Sequence, residues 1–166
     1  MRDIWVISDT HFNHTNILNF TDDFGDKVRK FDNVNQMNDC MITNWNEVVK
    51  ETDIIYHLGD VYFGNSHETD EILKKLNGKK RLILGNHDNG KDQILYKHFA
   101  KITLWRLFKE HNMVLTHIPL HESNMQKVEY NVHGHIHQNI SPTPNHINVC
   151  VEQINYKPIH IESIIK

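Results

Sequence analysis

A chain of 166 residues, 39% hydrophobic and 23% charged, can build a buried core and is too apolar to be disordered. Its formal net charge of −3 gives no global positive field to gather a long polyanion, and no apolar run approaches the roughly 18 residues of a membrane span. Two cysteines, Cys40 and Cys150, make no disulfide framework and suit a reducing, cytoplasmic setting. Against 18 Lys plus Arg stand 14 histidines, an excess that points to metal chemistry.

Ile4 to Ser8 reads as a buried strand ending at Asp9, its apolar run being too short for a signal-peptide core. Between Asp32 and Glu51, Val34, Met37, Met41, Trp45 and Val48 recur at steps of three and four, one face of an amphipathic helix. Ile54 to Leu58 is a second strand, closed by Gly59-Asp60. Ser66 is the expected N-cap of a helix through Ile72, Leu73 and Leu76, stopped at Asn77-Gly78. A third strand, Arg81 to Leu84, ends in Gly85-Asn86, and Asp92 to Phe99 is a short helix. Strands follow at Ile102 to Phe108, Met113 to Thr116, Tyr130 to His133, His146 to Val151 and Pro158 to Ile164. With no repeat or linker, the reading is one α/β domain over residues 1–166, layered around a mixed sheet or paired sheets.

Asp and His residues collect where the predicted strands end. Asp9 and His11 follow the first, Asp60 the second, and Asn86, His87 and Asp88 the third. His117 closes a later strand, and His135 and His137 follow Gly134. Loops at the carboxyl edge of an α/β sheet converge, so residues distant in sequence can meet there. Carboxylates, an amide oxygen and neutral imidazoles suit Mn, Fe, Zn, Co or Ni, and an Asp-x-His pair in extended backbone points both side chains the same way.

These blocks, Asp9-x-His11, Gly59-Asp60, Gly85-Asn86-His87-Asp88, His117 and Gly134-His135-Ile136-His137, resemble in order the pattern of the calcineurin-like metallophosphoesterases. The resemblance implies a four-layer α/β/β/α sandwich and two divalent cations, Mn first among Mn, Fe, Zn, Ni, Co and Mg. It implies that Asp9, His11 and His137 hold one cation, that Asn86, His117 and His135 hold the other, and that Asp60 bridges them. His87 would be the general acid, oriented by Asp88. Phe63 departs from the acidic residue that some relatives carry at its position, which is not a ligand position.

The resemblance further implies in-line attack on phosphorus by a hydroxide shared between the cations, with His87 protonating the departing alkoxide. His14, on the loop that carries Asp9 and His11, is a candidate phosphate contact, while His57 and His133 read as supports beside ligand turns. The expected substrate is a small phosphodiester such as a cyclic nucleotide. A nuclease, a phosphomonoesterase and a non-catalytic protein-binding scaffold are the alternatives. Extended nucleic acid and membrane are not expected partners, and the oligomeric state is left open.

Overall fold

The computed structural model describes residues 2–125 and 127–164. Its first half alternates strands and helices: β1 (Ile4–Ile7), α1 (Val34–Val48), β2 (Ile54–His57), α2 (Ser66–Lys75), β3 (Lys79–Ile83), α3 (Gln93–His98) and β4 (Lys101–Thr103). The second half is strands: β5 (Trp105–Phe108), β6 (Met113–Thr116), β7 (Tyr130–His133), β8 (His146–Asn148) and β9 (Ile159–His160). One sheet has the order β4-β3-β2-β1-β9, parallel except for β9, and the other has the order β5-β6-β7-β8. In the second sheet β5 and β6 are antiparallel and the remaining pairs parallel.

Alternation along each strand divides the apolar residues between two cores. Ile7, Ile55 and Leu82 face the helices, where Met37, Met41 and Trp45 of α1 meet them. Val6, Tyr56 and Ile83 face the second sheet and pack on Phe108, Met113, Leu115 and Val132. The architecture is thus an α/β sandwich of two sheets, with the helical stripe of α1 where its spacing predicts it. Beside the outer face of the second sheet, Ser123 and Asn124 of a 3-10 turn (Glu122–Asn124) border the same cavity as Trp105, Leu107 and Val114.

Local chemistry shifts several boundaries. Asn33 and Asn65 cap α1 and α2 through side-chain oxygens that accept from Gln36 N and from His67 N, so the second cap lies one residue before Ser66. The apolar run Ile102 to Phe108 is two strands: β4 joins β3 in one sheet, β5 joins β6 in the other, and the chain crosses at Leu104. A continuous apolar pattern carries no mark of a change of partner. The predicted strand His146 to Val151 stops at Asn148 because Val149 to Val151 connects the sheets: Val149 N donates to His133 O, Ser8 N donates to Val149 O, and Val151 N donates to Ser8 O. Of Pro158 to Ile164 only Ile159 and His160 pair, before a 3-10 turn capped by His160.

Candidate metal centre

The C-terminal ends of β1, β2, β3, β6 and β7 converge, and they bring the predicted ligands into two groups. Asp9, His11 and His137 form one, Asp60, His117 and His135 the other, each with donor atoms within 4.8 Å of one another. Asp60 stands between them, its Oδ2 3.7 Å from His11 Nε2 and 3.6 Å from His117 Nε2. The Asn86 side-chain oxygen lies 2.8 Å from His117 Nε2 and 2.9 Å from His135 Nδ1, which adds it to the second group. The first group is the deeper, since Asp9 and His11 are buried while Asn86 and His135 are exposed.

Several of these atoms are arranged for a cation. His117 Nδ1–H donates to Leu58 O at 2.7 Å, so in the neutral ring Nε2 is a bare lone pair aimed at the Asn86 oxygen. Two electron-pair donors facing each other are repulsive until a positive charge lies between them. Asp9 Oδ1 and both ring nitrogens of His11 are buried without a hydrogen-bond partner, an arrangement costly in a protein interior. Asp9 Oδ2, by contrast, accepts from Ser8 Oγ at 2.6 Å, His135 N at 2.8 Å and Cys150 Sγ at 3.2 Å, which fixes the carboxylate with Oδ1 toward the histidines. The donor set fits a pair of divalent cations.

Burial would raise the Asp9 pKa, but His11, His117, His137 and the Ser8 hydroxyl hold it well below the usual carboxylate range. Burial also keeps His11 neutral by lowering its pKa, and a neutral imidazole is the form that ligates.

Backbone conformation shows what the geometry requires. Of nine non-glycine residues with positive φ among those described, five are predicted ligands: Asp9, His11, Asp60, His135 and His137. Left-handed backbone costs roughly 1–2 kcal/mol for such residues, and it persists where surroundings over-determine it. Close approach accounts for Gly134: a Cβ there would overlap Ser8 Oγ and Asp9 Oδ2.

One sequence expectation needs correction. Asp88 does not orient His87. Its Oδ2 accepts from Asp60 N at 2.9 Å and Gly85 N at 2.8 Å, and its Oδ1 accepts from Val61 N at 3.0 Å. With three amides on one carboxylate, Asp88 ties the Gly59-Asp60 turn to the Gly85-Asn86 turn. His87 is placed otherwise: its backbone N donates to Asp60 Oδ1, its half-exposed ring puts Nε2 4.0 Å from Asp60 Oδ2, and Phe63 packs 5.0 Å from it. His14 stacks on Phe63 at 4.1 Å, 5.6 Å from the ring of His11, and burial depresses its pKa to about 4. His57 is a support as expected, with its Nδ1 accepting from Gly59 N and its Nε2 against the Thr10 hydroxyl.

Sequence reasoning missed two residues beneath the first group. Glu152 Oε1 accepts from His137 Nδ1 at 3.0 Å, so His137 Nε2 faces Asp9. The same oxygen accepts from Nε of Arg29, a fully buried guanidinium that also donates to Asp9 O at 2.6 Å and Thr10 O at 2.9 Å. Arg29 therefore clamps the strained loop after β1 and holds the carboxylate that aims His137. Its segment Asp26-Lys27-Val28-Arg29-Lys30 has the composition of a solvated surface, and only tertiary structure reveals the burial.

Comparison with known proteins agrees with this geometry. A model of the calcineurin-like phosphoesterases matches residues 2–155. The uncharacterized protein MJ1445 of Methanocaldococcus jannaschii is 37% identical over the whole chain and 91% of its own length. The Gene 66 protein of Mycobacterium phage L5 is 27% identical over 66% of this chain and 51% of its own. Among solved structures, the protein of unknown function AQ665 from Aquifex aeolicus superposes with a TM-score of 0.76 at 30% identity, covering 99% of this chain and 98% of that one. With the ligand groups in place and the match spanning nearly the whole sequence, this chain belongs to the calcineurin-like phosphoesterase family.

Proposed function

We propose that this protein is a phosphodiesterase that uses two divalent cations, Mn foremost, to hydrolyse compact phosphodiesters such as cyclic nucleotides in a reducing cytoplasm. The observation that carries the reading is Asp60, one carboxylate within reach of both ligand groups. When bound, the cations would supply Lewis-acid activation of water and neutralise charge on the phosphoryl group. The chain's own part is placement and proton transfer. Water releases a proton to solvent and adds to phosphorus, the bond to the leaving ester oxygen breaks, and His87 Nε2 gives that oxygen its proton and regains one from solvent. His87 is half-exposed at the mouth of the site, where a leaving group can depart into solvent. His14, uncharged at neutral pH, would donate a hydrogen bond to a phosphoryl oxygen from its place beside Phe63.

Compact substrates are favoured by charge. Acidic residues outnumber Lys plus Arg by 21 to 18, whereas a protein that tracks a nucleic-acid strand needs several aligned cations. The test is kcat/KM in Mn buffer for cyclic nucleotides and chromogenic diesters, beside monoesters and single- and double-stranded DNA. Small diesters should lead, with little dependence on salt. DNA ahead by tenfold or more, with turnover that collapses as salt is added, would replace this reading with the nuclease one.

A further inference from the structure

Three of the seven large apolar side chains that the described residues leave exposed, Leu104, Trp105 and Ile118, lie at one place. They border a groove of about 820 Å³ beside the outer face of the second sheet. Leu107, Val114 and Val128 also line it, and Lys127 is the one charged residue among the described residues on its wall. At its inner end the groove is walled by Gly85, Asn86 and His117, so the ligands of the more exposed cation site are also its boundary.

We propose that this groove binds an apolar, ring-bearing ester group of the substrate while the phosphoryl group occupies the metal centre. The inference deepens the phosphoesterase reading and rests on it. Three observations select this occupant. The groove is concave and of the size that holds a small molecule, whereas a protein partner usually meets a flatter surface. It is continuous with the cation site on the side that solvent reaches, because Asn86 and His135 are exposed while Asp9 and His11 are buried. Among the described residues that line it there is no carboxylate to repel a phosphate ester, and Lys127 puts a positive charge on its wall. Trp105 supplies the stacking surface: β5 and β6 pair it with Thr116, one residue before the ligand His117, so the ring is held in register with the site.

Calorimetry on the Mn-loaded full-length protein tests this with two phosphonates that cannot be hydrolysed, naphthylmethylphosphonate and methylphosphonate. The naphthyl compound should bind roughly tenfold or more tightly, the scale of partly burying one ring system. Trp105→Ala and Leu104→Ser, both at exposed positions, should each erase most of that preference while methylphosphonate affinity and Mn content stay unchanged. Equal affinities in the native protein, or a preference that survives both substitutions, would overturn the assignment. So would a dimer in the absence of ligand that dissociates on Trp105→Ala, because a second copy would then occupy the groove. If the preference appears but no ester is turned over, the hydrolase reading fails and the groove stands. Turnover without the preference removes the groove alone.

Discussion

Removing the His87 imidazole takes away a proton donor and leaves every atom of the two ligand groups in place. His87→Ala should lower kcat by on the order of 10²–10⁴-fold for esters with poor leaving groups, and by much less for nitrophenyl esters, with metal content unchanged. Asp88→Asn should behave differently, because the carboxylate serves the amides of Asp60, Val61 and Gly85. An amide side chain cannot accept from all three with the same strength, so about 1–3 kcal/mol of stability should be lost, along with metal affinity, regardless of leaving group. Elemental analysis, denaturant titration and a leaving-group series on both variants separate the two patterns. At this scale the convergence of Asp9, His11 and His137, and of Asp60, His117 and His135, was legible because Asp and His at strand ends are few and chemically distinctive. The orienting role that the resemblance implies for Asp88 fails because a motif says nothing about where a carboxylate's oxygens point.

The segment between β1 and α1 folds back beneath the site, where its Arg29 ties the backbone of Asp9 and Thr10 to Glu152. Arg29→Met would leave the Glu152 carboxylate buried beside a neutral side chain, and breaking a buried ion pair from one side costs about 3–5 kcal/mol. Adding Glu152→Gln should restore part of that loss in denaturant titrations, since the stranded charge is gone. Metal affinity should stay depressed by roughly 10–100-fold, because His137 then lacks its carboxylate partner. Strictly additive losses in the double variant would show that the two residues act independently. The elements were mostly legible from periodicity, as the α1 stripe and the strands β1, β2, β6 and β7 show. The crossing at Leu104 and the connection from Val149 to Val151 were not, because both depend on which sheet a residue joins and local pattern is silent about partners.

Over the whole molecule, histidine burial sets the response to acid. His11, His14, His57, His133 and His135 all have pKa values lowered from 6.5, by burial first, whereas His137 alone is raised, with Glu152 overcoming its burial. A histidine lowered on folding is protonated first in the unfolded chain, so stability rises with pH through 6.5 and falls below it. The raised His137 works the other way, its contribution being present below 6.5 and lost as pH rises, but it is outnumbered. Burial would raise the Glu152 pKa, yet His137 and Arg29 hold it below 4.5, so its contribution is present above that value and lost as pH falls. Metal-free protein should therefore melt at a clearly lower temperature at pH 5.5 than at pH 7.5, as calorimetry in a chelator would show. An unchanged or higher melting temperature at pH 5.5 would mean that these rings are not buried in solution.

The contact between Cys150 and Asp9 spans 141 residues of sequence, and the neighbouring clamp from Arg29 to Glu152 spans 123. A ribosome working at about 5–20 residues per second needs on the order of 10 s to make the stretch between Asp9 and Cys150. Asp9 and His11 emerge early, yet throughout that interval they lack the thiol and the carboxylate that aim the first ligand group. Vectorial synthesis thus completes the candidate metal centre only after Cys150 and Glu152 are made, and a nascent chain stalled short of Cys150 displays Asp9 and His11 without the groups that aim them.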